Sequence, residues 1–155
     1  MTQPGRPDWD AYFLGIARAV AARADCTRRQ VGAVVVRDRR IVSTGYNGAP
    51  PGGPSCLRGE CPRGLHFPRL DAAGVAYCVC GEHEWPCPNA AAPGSSYDTG
   101  PGACVAVHAE GNAVLYAGRD GCLGSTLYVT DEPCDGCSKL IKASGIARLV
   151  WPNSV

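Results

Sequence analysis

Ten cysteines in a chain of 155 residues constrain the fold more than any other feature. No apolar signal segment follows the first residues, so we expect no secretory signal, a cytoplasmic protein and reduced thiols. The cysteines lie in pairs and triplets at ligand spacing, which favours metal binding over a disulfide framework. Five of them fall between residues 47 and 103, a stretch rich in glycine and proline with little periodicity. A loop of that length is unusual in a compact domain, so we expect bound metal to order it.

Composition excludes several classes of protein. Hydrophobic residues make up 45% of the chain and charged residues 19%, which is typical of a globular protein. The net charge of +1 indicates neither a nucleic-acid surface nor a polybasic membrane patch. No apolar run approaches the roughly 20 residues of a membrane span. The length predicts one domain, residues 1–155, with a Cys-rich insert at about residues 50–104.

The segment before the insert predicts a helix followed by a hairpin. Residues 8–24 have helical spacing of apolar side chains, with Asp8 as the N-cap. Residues 31–36 and 40–46 predict two strands joined by a tight turn at Asp38 and Arg39. The predicted buried stripe of the helix comprises Trp9, Tyr12, Phe13, Ile16, Ala17 and Val20.

The segment after the insert predicts a helix, a strand, a second helix and a last strand. Their expected ranges are 108–118, 126–130, 134–144 and 146–151, with Gly145 ending the second helix. A β-α-β unit favours a right-handed crossover and a parallel strand pair. The fold class expected is therefore α/β, a three-layer α/β/α sandwich with a mixed central sheet.

Two short motifs predict a catalytic metal site. His108-Ala109-Glu110 opens one helix, and Cys134 and Cys137 lie one turn apart at the start of the next. A helix N-terminus favours thiolates, the form that binds metal. One imidazole and two thiolates leave the fourth position of a tetrahedral zinc open, as in catalytic sites.

Glu110, two residues after the predicted ligand, is suited to move protons. The pattern H-x-E…P-C-x-x-C is the known signature of zinc-dependent nucleobase deaminases. A structural zinc with an incidental glutamate is the alternative, although structural sites normally supply four protein ligands.

Four stretches carry a family resemblance: WDAYFLGIARAVAARADCTRRQVGAVVV, RIVSTGYNGAPPGG, VHAEGNAVLYAGR and TLYVTDEPCDGCSKLIKASGI. The chain resembles the deoxycytidylate (dCMP) deaminase family, which has the cytidine deaminase-like fold. The resemblance implies a hydrolase that converts dCMP to dUMP with catalytic zinc on His108, Cys134 and Cys137. It implies that zinc-bound hydroxide attacks C4 of cytosine, that Glu110 protonates N3 and shuttles protons, and that ammonia leaves.

The resemblance also implies substrate and regulatory residues. Asn47 and Ala109 are expected to contact the substrate, although Asn47 could instead hold a loop. Family members are often homo-oligomers, so a hexamer or a dimer is expected, with dCTP and dTTP as possible regulators. The positions assigned to that regulatory interface are Gly45, Tyr46, Gly48 and Arg119.

The remaining cysteines predict one or two structural zinc ions. Cys26 and Cys56 match a second zinc site of the family, and Cys61 and Cys104 are added by proximity, with buried free thiols as the alternative. A possible third site has an unusually tight C-x-C pair, and some of its ligands could instead complete the second site. Its members are Cys78, Cys80, His83 and Cys87. His66 is expected to be solvated, and Cys122 is expected to be structural.

Substrate identity is the least determined feature. Arg28 and Arg29, before the first strand, are suited to bind a 5′-phosphate but could equally be solvated. Another or a 5-modified cytosine nucleotide or nucleoside is an alternative substrate. A zinc-stapled nucleic-acid-binding module is a further alternative, but such a module would have no use for Glu110.

Overall fold

A computed structural model describes residues 5–92 and 94–154. The chain divides into two compact units, residues 1–48 with 107–155, and residues 49–106. The second unit coincides with the predicted insert. Residues 1–4, on which the expectation of no secretory signal partly rests, lie outside the described residues. In the described part of the chain, no helix has the length and apolar character needed to cross a membrane.

Ten helices and strands are present in the described residues. In chain order they are α1 (Trp9–Ala21), β1 (Gly32–Arg37), β2 (Arg40–Tyr46), α2 (Pro62–Leu65), β3 (Pro68–Leu70), β4 (Ala76–Cys78), α3 (Ala109–Cys122), β5 (Thr126–Val129), α4 (Asp135–Ser144) and β6 (Arg148–Val150). The predicted elements on both sides of the insert are confirmed, with β6 shorter than expected.

The first unit contains a four-stranded sheet in the order β2-β1-β5-β6. Strand β1 is antiparallel to both β2 and β5, whereas β5 and β6 are parallel. The β1–β2 hairpin turns at Asp38 and Arg39, whose φ angles of 51° and 60° suit a two-residue type I′ turn. The predicted mixed sheet, hairpin and parallel pair are confirmed.

Helices cover both faces of this sheet. On one face, Phe13 and Ala17 of α1 pack against Val34 of β1. On the other face, Val35 packs with Ala113 of α3 and with side chains of α4. Successive residues of β1 therefore point to opposite helical layers, which explains why the strand is a continuous run of β-branched residues. The three-layer α/β/α sandwich is confirmed.

Helix α1 begins as predicted, but its buried stripe differs at two positions. Asp8 caps the helix by accepting a hydrogen bond from the Ala11 amide at 2.7 Å. Phe13 is 2% exposed, whereas Trp9 and Tyr12 are 46% and 47% exposed, so their predicted burial is wrong. These two residues lie in the first turn, and Trp9 is covered by the guanidinium of Arg39, 5.0 Å from its ring, rather than by the sheet.

A polar cluster ties α1 to the far strands of the sheet. Asp10 accepts two hydrogen bonds from the guanidinium of Arg148, at 2.8 and 2.6 Å. The hydroxyl of Tyr128 donates to the same carboxylate at 2.9 Å. The Arg148 hydrogen bonds hold the pKa of Asp10 below its ordinary value. Burial and the neighbouring Asp10 carboxylate raise the pKa of Tyr128 to about 12.

The second unit consists mainly of turns around one short hairpin. Strands β3 and β4 pair antiparallel, with Pro68 opposite Cys78 and Leu70 opposite Ala76. Asp71 closes the connecting turn, because its carboxylate accepts the amide hydrogens of Ala73 and Val75, both at 2.9 Å. The insert therefore has more regular structure than its sequence predicts.

Candidate active site

The end of β2 and the first turn of α3 together position His108. Val107 forms an antiparallel bridge with Gly48, through hydrogen bonds of 3.2 and 2.9 Å. His108 follows as the N-cap residue of α3. The side chain of Asn112, in the same turn, donates to the carbonyl of Tyr46 at 2.8 Å. The imidazole therefore projects from a helix start that is fixed to the sheet.

The two thiols come from the first turn of α4. Cys134 is the N-cap residue, and its sulfur accepts a hydrogen bond from the amide of Cys137 at 3.5 Å. Gly145 ends this helix in the left-handed conformation, with φ of 88°, as its sequence predicts. Cys137 is buried and Cys134 is exposed. One sulfur donor therefore belongs to a buried residue and the other to an exposed residue.

The three predicted ligands converge. Nδ1 of His108 lies 3.6 Å from the sulfur of Cys134 and 3.3 Å from that of Cys137. These atoms are within 4.8 Å of one another, close enough for one metal ion to contact all three. Two thiols and one imidazole form the donor set of catalytic zinc sites, so the residues fit that metal.

Glu110 lies on the first turn of α3 and is 4% exposed. Burial raises the pKa of its carboxyl group, against the opposing effect of the nearby His108 imidazole. A carboxyl group with a raised pKa can hold a proton nearer neutral pH and pass it on. The sequence predicts that Glu110 moves protons, and that role stays a prediction here.

Several residues expected at a regulatory interface have contacts within the chain. A β-carbon on Gly45 would lie 2.2 Å from the carbonyl oxygen of Ala109, so only glycine allows α3 to approach β2 this closely. Arg119 donates to the carbonyl of Ala143 at 2.9 Å, which connects α3 to α4. These contacts explain the residues structurally, and their regulatory role stays a prediction.

Asn47 is buried and its side chain holds the loop before β1. Its amide nitrogen donates to the carbonyl of Arg29 at 2.8 Å, and its oxygen accepts from the amide of Val31 at 2.7 Å. Asn47 therefore holds this loop, and a contact between Asn47 and substrate stays a prediction. Arg29 forms an ion pair with Asp131, 3.2 Å between Nε and Oδ2. Arg28 lies in the same loop, directly before Arg29, and is exposed.

The cysteines predicted as a second site lie in both units. The sulfur of Cys26 accepts hydrogen bonds from the amides of Arg28 and Arg29, both at 3.4 Å. In the second unit, the sulfurs of Cys61 and Cys104 are 3.8 Å apart.

The insert brings together a second group of metal-type ligands, and its histidine differs from the prediction. His66, Cys78, Cys80 and Cys87 have ligand atoms that all lie within 4.8 Å of one another. His66, expected to be solvated, takes the place predicted for His83, which instead lies 3.6 Å from the Cys80 sulfur through Nδ1. The hairpin explains the difference. Because Pro68 pairs with Cys78, the residues just before β3 lie beside those just after β4.

A candidate metal site of one imidazole and two thiols, with a buried glutamate two residues after the histidine, on an α/β/α sandwich, is typical of zinc-dependent deaminases of nucleobases. The chain belongs to the family described as the cytidine and deoxycytidylate deaminase zinc-binding region, which it matches over residues 7–152.

Named relatives agree with this assignment. The chain is 52% identical over 149 residues to "Deoxycytidylate deaminase" of Mycobacterium phage D29, covering 96% of this chain and 97% of that protein. It is 36% identical to the Saccharomyces cerevisiae protein of the same name, covering 96% of this chain but only 39% of the yeast protein. The dCMP deaminase of cyanophage S-TIM5, solved with dCMP and dUMP, shares the fold with a TM-score of 0.59 at 23% identity, covering 95% of this chain and 82% of that one.

Proposed function

We propose that this protein hydrolyses the exocyclic amine of dCMP, so that water and dCMP give dUMP and ammonia. The position of Glu110 carries the proposal, because a buried carboxyl group beside a three-ligand metal site has a chemical use in deamination. The choice of dCMP is supported by the phage relative of that name, which matches over 97% of its length.

The residues of this chain supply binding and proton transfer. When bound by His108, Cys134 and Cys137, zinc would lower the pKa of a coordinated water toward neutrality. Glu110 accepts a proton from water and delivers it to N3 of the cytosine ring, which makes C4 more electrophilic. The oxygen of that water bonds to C4, and Glu110 takes its remaining proton and delivers it to the amine. The C4–N bond then breaks, so that ammonia leaves and C4 becomes the carbonyl carbon of dUMP. Burial raises the pKa of Glu110, which favours the protonated form that both deliveries require.

Substitution of Glu110 by glutamine tests this mechanism. Glutamine keeps the shape of the side chain but cannot shuttle protons, so we expect kcat to fall at least about 10³-fold. Zinc content should stay at the wild-type value. E132Q is the matched control, since Glu132 is an exposed glutamate that follows β5 and should tolerate the same change. An E110Q variant with near-normal turnover would contradict the proposed role.

A substrate panel separates dCMP from the alternatives. Ammonia release would be measured with dCMP, CMP, deoxycytidine, 5-methyl-dCMP and guanine. We expect dCMP to have the highest kcat/KM, and a strong preference over deoxycytidine would indicate a phosphate contact, for which Arg28 is the proposed residue. A preference for 5-methyl-dCMP or for the nucleoside would instead support the alternative substrates.

We also propose that the catalytic zinc is accompanied by structural zinc. The 3.8 Å between the sulfurs of Cys61 and Cys104 matches the separation expected for two thiolates on one zinc, about 3.8 Å for Zn–S bonds of about 2.3 Å. Amide hydrogen bonds to the sulfur of Cys26 suit a thiolate. Each of these contacts lies within one unit, and a site of Cys26, Cys56, Cys61 and Cys104 stays a prediction for the second zinc. Metal analysis of the purified protein tests the number, since one zinc per chain would exclude any structural ion.

A homo-oligomer regulated by dCTP and dTTP remains part of the proposal. Leu115 and Tyr116 of α3 are 72% and 76% exposed, which suits helix residues covered by a second copy. Light scattering on the purified protein tests the assembly, and a single chain in solution would contradict it. Addition of each nucleotide to the dCMP assay tests regulation. Cytoplasmic location also stays a prediction, tested by cell fractionation.

A further inference from the structure

Among the described residues from 49 to 106, the buried side chains are all cysteines. They are Cys56, Cys61, Cys78 and Cys87. Large apolar residues of the same unit are exposed, including Leu70 at 68% and Phe67 at 39%. Apolar burial is the usual source of folding free energy, and this unit has little of it. Small units of this kind are commonly held by metal or disulfides, and none of these four cysteines forms a disulfide.

We propose that His66, Cys78, Cys80 and Cys87 bind a structural zinc ion that closes the insert around the β3–β4 hairpin. The four ligand atoms lie within 4.8 Å of one another. Nδ1 of His66 is 3.9 Å from the sulfur of Cys78 and 3.6 Å from that of Cys87. Zinc bonds of about 2.1 Å to nitrogen and 2.3 Å to sulfur require a separation of about 3.6 Å in a tetrahedron. The four atoms therefore need only small shifts to complete it.

The ligand number separates this site from the catalytic one. Four protein ligands fill a tetrahedron and leave no position for water or substrate, which is typical of structural zinc. The ligands come from three places in the unit: before β3, at and just after the end of β4, and from the following loop. One ion would therefore connect segments that have few apolar contacts to hold them together.

His83 has a supporting role beside this site. Its Nδ1 lies 3.6 Å from the Cys80 sulfur, and its backbone carbonyl accepts the amide hydrogen of Cys78 at 3.2 Å. Three thiolates and one imidazole give a zinc site a net charge of −1, which a hydrogen bond to a sulfur partly offsets. His83 is therefore a positioning residue, and its loss should weaken zinc binding without removing the ion.

Two histidine variants of the full-length protein test the assignment. H66A should lose one zinc per chain relative to wild type, whereas H83A should keep the wild-type zinc content. C122A is the control, since Cys122 is a buried thiol of the other unit and has no place in the cluster. Zinc would be counted by mass spectrometry on gel-filtered protein. The proposal is overturned if H66A keeps every zinc ion, and loss of an ion from H83A would contradict the assignment of His83 as a positioning residue.

A measurement on the wild-type protein covers the case in which H66A fails to fold. Thiol alkylation followed by peptide mass spectrometry would compare zinc-loaded with chelator-treated protein. Cys78, Cys80 and Cys87 should be protected by zinc and react at least about tenfold faster after its removal. Equal reaction rates in both states would overturn the proposal. Neither experiment depends on deamination, so failure here leaves the proposed catalytic function untouched.

Discussion

Replacing Gly45 by alanine should damage the active site through a backbone clash. The new β-carbon would lie 2.2 Å from the carbonyl oxygen of Ala109 and 2.4 Å from the amide nitrogen of Ala113. Both are main-chain atoms of α3, so no side chain can rotate away. Ordinary contact begins at 3.4 Å, so the helix must retreat from the sheet by roughly 1.2 Å. That helix carries His108 and Glu110.

The magnitude follows from the geometry. Overpacking against a fixed backbone costs about 1–3 kcal/mol of unfolding free energy, and the upper end applies where nothing can rotate. A displacement of about 1 Å in catalytic groups lowers turnover about 10²-fold. The β-strand propensity of alanine is no lower than that of glycine, so a change in strand propensity cannot account for a loss of stability in G45A. We therefore expect G45A to lose about 3 kcal/mol of stability and about 10²-fold in kcat/KM.

G32A is a matched control on the opposite face of the sheet. Its β-carbon would lie 2.1 Å from the carbonyl oxygen of Ala17 and 2.5 Å from the amide of Ala21, both in α1. The clash is nearly identical in size, but α1 carries no catalytic group. We expect G32A to be destabilised as much as G45A while the folded enzyme keeps kcat/KM within about threefold.

The assay is ammonia release from dCMP well below the melting temperature of each variant, with zinc content and thermal unfolding measured on the same samples. Equal activity of zinc-loaded G45A and G32A would refute the reasoning. It would mean that α3 can shift without disturbing the site, or that overpacking is relieved within the strand.

Two further predictions concern stability. D10N should reduce the free energy of unfolding by about 1 kcal/mol at pH 7, because it breaks a charge-assisted pair with Arg148. Since the folded-state pKa of Asp10 lies below its ordinary value of 3.8, the stabilisation is full above that value. The difference in unfolding free energy between D10N and wild type should vanish as the pH falls through the folded-state pKa of Asp10. Chemical denaturation across this pH range measures the difference, and one that persists at low pH would contradict the prediction. N47A should reduce the free energy of unfolding by about 2 kcal/mol, because the buried Asn47 side chain loses two hydrogen bonds to the loop before β1. Thermal unfolding measures the loss, and an unchanged melting temperature would contradict the loop-holding role.

Local sequence patterns predicted the frame of the first unit. The Asp8 cap, the Asp38–Arg39 turn and the Gly145 stop each depend on a few neighbouring residues, so the backbone realises them almost independently of the rest. The same holds for Cys134 and Cys137, since one helical turn brings residues i and i+3 to the same face. The ligands of the candidate catalytic metal site could therefore be predicted from the sequence.

Features that depend on distant pairing were decided by the tertiary structure. No local pattern reveals that Trp9 is exposed while Phe13, one turn later in α1, is buried, because the packing of the helix on the sheet decides which of them is covered. The close approach of α3 to Gly45 is likewise visible only once the helix lies on the strand. Such contacts give a weak signal in the sequence, because neither residue of the pair is unusual for its own helix or strand.

The sequence by itself determined that the insert is rich in metal ligands, since its cysteines and histidines are present in the chain whatever its conformation. Only the tertiary structure decided that His66 joins Cys78, Cys80 and Cys87 while His83 does not. The physical reason is strand register. The pairing of Pro68 with Cys78 brings two segments together that are separated along the chain, and composition alone does not specify that pairing.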